Sequence, residues 1–498
     1  MKFSIILFAV MLLGCTAHVK KQQPSVQADG EEYRPQYHFT PPAQWMNDPN
    51  GMVYFEGEYH LFYQHYPDSN VWGPMHWGHA VSTDMVHWEH LPIALYPDSL
   101  GYIFSGSAVV DRHNTTGFGA NDKPAMVAIY TYHDPVGASE GQIDYQTQGI
   151  AYSLDKGRTW TKYEGNPVLP NPGIIDYRDP KVFWYDKDQS WRMILAVKDR
   201  VHIYASPDLI NWEKKSEFGA EIGAHGGVWE CPDLFELPIA GGESKWVMLV
   251  SINPGGPQGG SATQYFVGAF DGDVFTPEDE QTRWLDYGAD NYAGVTWSDI
   301  PDSDGRRLFI GWMSNWQYAN VVPTYTWRSA MTIPRELVLL KQKNNYLLQS
   351  KPVQELQSLI VGEQAMGSDL KLTSATQKIM VNKVAQGTRV SIKNAQGEML
   401  VIVIEEEQLV VDRSKAGKSA FSDVFAARHT ASLGDIVPVT LTVYMDRSSV
   451  EVFVNEGELV MTNLVFPEHS FERVQLSGPG QMKMVALKSI WGEQQEEL

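Results

Sequence analysis

A short box that recurs in the N-terminal part of the chain narrows the folds open to it. Ser82-Thr83-Asp84-Met85-Val86-His87-Trp88 returns as Ser206-Pro207-Asp208-Leu209-Ile210-Asn211-Trp212, and one residue longer as Ser153-Leu154-Asp155-Lys156-Gly157-Arg158-Thr159-Trp160. In such a box the Ser and Asp side chains bond the amides of a tight turn while the Trp packs between layers, so the copies are structural. They lie roughly 50–70 residues apart, a spacing that suits the blades of a β-propeller. Around them, from about residue 37 to 340, amphipathic helical periodicity is almost absent. Short apolar runs such as Ala125-Met126-Val127-Ala128-Ile129-Tyr130 and Leu308-Phe309-Ile310-Gly311-Trp312 are broken by Gly, Pro, Asp and Asn, which is an all-β signature. Many strands in one long segment need a closed or radially repeated arrangement, because an open sheet leaves unpaired edges. Some 300 residues would hold about five four-stranded blades.

The texture changes at residues 341–360, where Lys341-Gln342-Lys343-Asn344-Asn345 precedes Val353-Gln354-Glu355-Leu356. This stretch reads as a linker. Beyond it, Val450, Val452 and Val454 fall on one face of a strand and Glu451 and Phe453 on the other, before an Asn455-Glu456-Gly457 turn. That alternation predicts a β-sandwich over residues 361–498.

Residues 1–15 read as an export signal: Lys2, an apolar run from Phe3 to Leu13, then Gly14-Cys15. The run is too short for a permanent membrane helix. Leu12-Leu13-Gly14-Cys15 resembles a bacterial lipobox, in which Cys15 becomes the lipid-modified N-terminus; the alternative is an ordinary secretory peptide with an incidental Cys. Residues 16–36 then form a polar tether, and the lack of an acid close behind Cys15 leans toward a periplasmic-facing rather than a cell-surface anchor. Once Cys15 is lipidated, Cys231 is the one remaining thiol, so no disulfide framework is expected. A net charge of −21 argues against nucleic acid or an anionic membrane surface as partner and leaves a neutral ligand such as a sugar chain. The sequence does not specify an oligomeric state.

Three distant segments each set an acid beside a proline, an aromatic or both: Trp45-Met46-Asn47-Asp48-Pro49-Asn50-Gly51, Tyr177-Arg178-Asp179-Pro180 and Trp229-Glu230-Cys231-Pro232-Asp233. Glycoside chemistry asks for such a set, with a nucleophile, a proton donor and an anchor for ring hydroxyls. In a propeller, acids on different blades converge at the mouth of one central funnel. His76 and His79 flank Trp77, but with no third ligand they do not make a metal site. No metal and no cofactor are expected.

Together with Phe104-Ser105-Gly106-Ser107 and Tyr444-Met445-Asp446-Arg447-Ser448-Ser449-Val450-Glu451-Val452-Phe453, these motifs resemble the β-fructofuranosidase glycosidases, glycoside hydrolase family 32. The resemblance runs from about residue 37 to 492. It implies an all-β protein with a five-bladed propeller over residues 37–340 and a C-terminal sandwich, hydrolysing terminal β-fructofuranosyl linkages with retention. Asp48 would be the nucleophile, Glu230 the acid/base and Asp179 the stabiliser of the transition state. Asn47, Gln64, Ser105 and Arg178 would bond the terminal fructose, and Trp45, Trp72, Phe104 and Trp316 would form apolar walls. Arg178 is expected to balance Asp179. The Asp48 charge and a dry wall of Trp229 and Cys231 are expected to keep Glu230 protonated until it acts. The sandwich has no Trp before Trp491, so no second sugar-binding face is evident there. The expected activity is exo-hydrolysis of levan or inulin, with sucrose a further candidate substrate. Endo-levanase and transferase variants use the same acids, and a non-catalytic fructan-binding propeller would need none of them. A sialidase would need an arginine cluster and a Tyr nucleophile, and no such set declares itself.

Overall fold

Each Ser-x-Asp box folds as a turn that closes a blade. Asp84 Oδ1 accepts the amides of Val86 and His87 at 2.9 and 2.8 Å, and Trp88 Nε1 donates to the Met85 carbonyl at 3.0 Å. Asp208 and Trp212 repeat the arrangement with Ile210, Asn211 and Leu209. The longer box closes through Asp155 to Thr159 and Trp160 to Gly157. Met85 and Leu209 sit at φ +61° and +63°, a conformation an ordinary side chain resists. Both are fully buried, and that burial offsets the strain. In all three cases the box joins the third strand of a four-stranded blade to its fourth. The Trp then reaches the blade behind: Trp160 meets Phe62 edge-on at 5.5 Å, and Trp88 stacks on Trp297 at 6.5 Å.

The computed structural model describes residues 31–491 apart from 121, 122, 343 and 344. The export signal and Cys15 lie outside the described residues. Five antiparallel sheets follow in chain order, with innermost strands Gln44–Phe55, Tyr102–Asp111, Tyr177–Tyr185, Val228–Pro238 and Tyr292–Thr296. Each innermost strand packs on the next, and the fifth returns to the first, so the blades close a ring. Trp327–Arg328 pairs in parallel with Gln44 and Trp45, tying the end of the propeller to its beginning. Apolar residues of facing blades fill the gaps, as with Val109, Ile129, Val182 and Met193 between the second and third.

Two boundaries differ from the sequence reading. Lys341 and Gln342 do not open an interdomain linker: the Gln342 amide donates back to the Asn345 carbonyl at 2.9 Å. The strand that follows, Tyr346–Pro352, pairs with Arg335–Lys341 as the outer strand of the fifth blade. A 3-10 turn at Gln354–Leu359 then leads straight into the second domain. Residues 31–36, expected in the tether, are docked on that domain. The Gln36 amide donates to Asp446 at 2.8 Å and Tyr33 Oη to the Pro467 carbonyl at 3.1 Å.

The second domain is a sandwich of two six-stranded antiparallel sheets. Val450, Val452 and Val454 enter its core as the alternation predicts. The opposite face of the same strand meets the propeller rather than water, so all of Ser449–Val454 is buried. There Glu451 accepts from His38 at 2.9 Å and pairs with Arg335, which also holds Asp286 at 3.0 Å. Asp446 takes the other ring nitrogen of His38 at 2.8 Å. Burial alone would lower His38; the two carboxylates outweigh it and lift it to about 9.

Candidate active site

The five innermost strands share a defect that builds the site. Pairing with the second strand skips two residues against one in every blade: Asn47-Asp48 opposite Gln64, Phe104-Ser105 opposite Thr131, Asp179-Pro180 opposite Leu195, Cys231-Pro232 opposite Val250, and Ala293-Gly294 opposite Gly311. Each is a β-bulge, which bends the strand and re-aims its side chains. The bends use positive φ at Asp179 (+66°), Cys231 (+44°) and Ala293 (+53°). In the second blade the bulge ends at Gly106, where an added Cβ would lie 2.0 Å from the Ile129 carbonyl oxygen. Pro180 and Pro232 sit within these bulges, and Pro49 directly follows one, where a missing N–H costs the ladder least.

The bulges turn Asp48, Asp179 and Glu230 into one pocket of about 420 Å³ at the mouth of the channel. Asn47, Gln64, Trp72, Phe104, Ser105, Arg178 and Trp316 also line it. Asp48 accepts from Asn47 Nδ2 at 3.0 Å and from Ser105 Oγ at 2.8 Å. Surrounding protein pushes its pKa up and the Glu230 charge adds to this; the Asn47 and Ser105 bonds oppose it. Asp179 Oδ2 accepts the Cys231 amide at 3.0 Å. Burial raises Asp179, the Arg178 charge counters, and Glu230 and Asp48 push it back up to about 7. Gln64 leaves Nε2 without a protein partner inside the pocket.

Two expectations about neighbours are corrected and a third is met only in part. Trp45 is no wall: it is fully buried behind the pocket, stacked on Trp316 at 5.8 Å, and its indole N–H holds Asn47 Oδ1 at 2.7 Å. Arg178 does oppose the rise of Asp179 through its charge, but it makes no hydrogen bond to it. It bonds Glu230 Oε1 at 2.9 Å and Asp176 at 2.6 Å, because the third and fourth blades bring Glu230 alongside it. Trp229 and Cys231 do not enclose Glu230. Trp229 turns away, its N–H on the Ala224 carbonyl at 2.8 Å, and Cys231 Sγ sits 3.6 Å from both Asp48 and Asp179. The thiol itself is pushed well up by burial and by the surrounding carboxylates. His76 and His79 also part company. His79 bonds His60 at 3.0 Å, whereas His76 bonds the Pro74 carbonyl.

Several residues in or behind the pocket wall escaped the sequence reading. Tyr292 donates its hydroxyl to Glu230 Oε2. It occupies the place in the fifth blade that Glu230 holds in the fourth, immediately before the bulge. Aligning the innermost strands of all five blades would have pointed to it. His133 stacks under Phe104 at 4.3 Å, and Asn320 accepts the Trp72 amide at 2.9 Å, steadying a ring that is 41% exposed. Asp176, two residues before Arg178, was the nearest to being legible.

The site combines an aimed carboxylate, a second carboxyl held by Arg178 and Tyr292, and a third fixed by a backbone amide, between aromatic rings. Acid–base and nucleophilic work on a neutral polyhydroxylated substrate is within its chemistry. Known proteins resemble the chain over nearly its whole described length. Residues 38–352 match the glycosyl hydrolases family 32 N-terminal domain and residues 341–491 the family's C-terminal domain. A levanase of Bacillus subtilis (strain 168) is 49% identical over 492 residues, covering 93% of this chain and 71% of that protein. An extracellular exo-inulinase of Aspergillus niger is 41% identical, covering 90% of this chain and 92% of that one. Among solved structures, an exo-inulinase of Aspergillus awamori superposes with a TM-score of 0.86 at 37% identity, over 93% of this chain and 99% of that one. The chain therefore belongs to glycosyl hydrolases family 32 and is a glycosidase.

Proposed function

We propose that this glycosidase removes terminal β-D-fructofuranosyl units from fructans, levan or inulin, by exo-cleavage with retention, sucrose being the smallest substrate of that type. The convergence of Asp48, Asp179 and Glu230 in one small pocket walled by Trp72, Phe104 and Trp316 carries the reading. Such a pocket suits one ring at a chain end. The names of the levanase and exo-inulinase relatives support it.

In this reading Asp48 attacks the anomeric carbon while Glu230 passes its proton to the departing oxygen. The resulting fructosyl ester is opened by a water that Glu230 deprotonates, and Asp48 leaves as carboxylate. Asn47 and Ser105 fix the attacking oxygens, and Arg178 and Tyr292 hold the Glu230 carboxyl in one orientation. Asp179 binds ring hydroxyls as positive charge develops on the sugar. We also assign export and a lipid anchor at Cys15, which metabolic labelling with a palmitate analogue tests: label should vanish in Cys15→Ala.

Product analysis over time on levan, inulin and sucrose tests the activity. Fructose alone from the first time points is expected. A ladder of oligosaccharides would move the assignment to an endo-levanase, and no release from any of the three would return it to a fructan-binding propeller. Asp48→Asn should abolish turnover with the fold intact, and Glu230→Gln should be partly rescued by an activated leaving group.

A further inference from the structure

We propose that the groove at the far end of the propeller channel is a second fructan-binding site, holding polymer while the catalytic pocket works at its end; this rests on the fructan reading above. The groove measures about 960 Å³, against about 420 Å³ for the pocket, near the top of the ~300–1,000 Å³ range of ligand sites. It is lined from the later parts of four innermost strands and their continuations, by Val110, Phe183, Phe235 and Ile300 among others. The acids lie near the beginnings of the same strands. At ~3.3 Å per residue, Asp179 to Phe183 and Glu230 to Phe235 span roughly 13–17 Å, so the two sites do not overlap.

Its lining suits a neutral sugar chain. Trp184 and Trp246 are only partly buried in its walls. Each is held by neighbouring rings, Trp184 by His113 at 4.6 Å and Trp191 at 5.0 Å, Trp246 by Phe270 at 5.0 Å. Held aromatic rings of this kind offer flat surfaces to the C–H faces of sugars. The charges of its lining nearly cancel, four bases standing against five acids, with Lys181 paired to Asp233 at 3.3 Å and Arg112 to Asp299 at 3.4 Å. That leaves little net field for an ion. Several polar groups stay unspent, Trp184 Nε1 and Tyr185 Oη among them. Buried Asp233 gives Oδ2 to Thr296 and Lys181 but leaves Oδ1 without a protein partner. Arg307 lies over the Phe235 ring at 4.9 Å, and among the described residues its guanidinium makes no side-chain hydrogen bond or ion pair. A planar fork beside an aromatic face matches a vicinal diol.

Calorimetric titration of full-length Asp48→Asn protein with a purified levan oligosaccharide, then with its inulin counterpart, is the test. Two sites per chain are expected for at least one of them. Arg307→Ala in that background should abolish the second, and Arg307→Lys should weaken it roughly tenfold. In the active chain Arg307→Ala should raise KM for polymer severalfold, leaving kcat and KM on the shortest cleaved oligosaccharide unchanged. Trp246→Leu gives the same readout without altering charge, should Arg307→Ala fail to fold. A single site per chain with Arg307 in place, or a polymer KM indifferent to both variants, overturns the second site while leaving the catalytic reading standing. Failure of the unmodified chain to hydrolyse any fructan overturns the catalytic reading instead.

Discussion

Replacing Asp179 with Asn should produce an enzyme that is inactive and more stable. The folded protein holds the Asp179 proton to about 7, against a free value of 3.8, because burial and the Glu230 and Asp48 charges outweigh Arg178. Between those values the folded chain carries a proton that the unfolded chain has lost. Stability conferred by the protonated form is therefore complete below about pH 4 and is lost as pH rises toward 7. Three units at 1.36 kcal/mol each give a penalty of roughly 4 kcal/mol above neutrality, an upper value that relaxation would reduce to ~2–4. Asn removes the ionisation, and its amide oxygen can still accept the Cys231 amide. Arg178 is not orphaned, since its bonds go to Glu230 and Asp176. Thermal unfolding of both proteins at about pH 4, 6 and 8 should show the variant gaining little at the lowest pH and a few degrees at the highest. A gain of equal size at every pH, or a loss at pH 8, would refute the electrostatic reasoning, and retained turnover would refute the role given to Asp179.

Ser105→Ala removes a side-chain bond that holds Asp48 down, so the acid limb of the kcat/KM profile should move to higher pH; a limb that stays put would contradict this. Tyr292→Phe keeps the ring and deletes the hydroxyl bond to Glu230, and roughly a tenfold drop in kcat/KM is expected with unfolding unchanged. Trp45→Phe preserves the stack on Trp316 but frees Asn47, so activity should fall about threefold to tenfold; unaltered kinetics would show the indole N–H to be idle. His38→Gln should cost about 3–5 kcal/mol at about pH 6, measured by denaturant titration. Because the folded His38 value is raised to about 9 from 6.5, that cost should be full below 6.5 and shrink as pH passes 9.

Motif chemistry and blade spacing were legible because both are local. Ser-x-Asp turns write their own hydrogen bonds, and an acid followed by Pro announces a break in a ladder. Partnerships across blades were not legible. Nothing near Arg178 says that its guanidinium goes to Glu230 instead of the adjacent Asp179, since that choice is made by the packing of the third blade on the fourth. Trp45 and Trp72 look alike as tryptophans near a motif. One precedes a bulge and points inward, while the other sits in a loop steadied by Asn320. A period of two cannot place side chains through a bulge, because the extra residue exchanges the faces. The polar residues beside Lys341 misled for a similar reason: a connection between two paired strands of one blade and a junction between domains have the same composition.

The strand Ser449–Val454, buried on both faces, bears on how the molecule can be handled. One side completes the sandwich and the other supplies Glu451 and Phe453 to the propeller, where His38 and Arg335 depend on them. A chain cut after Pro352 would retain every catalytic group yet strip His38 of both its carboxylates, leave Arg335 with Asp286 alone, and open a wide apolar floor to water. The two domains are separable in a diagram but not in a test tube. They should melt in a single cooperative transition, and attempts to express the propeller by itself should yield aggregate rather than a smaller enzyme.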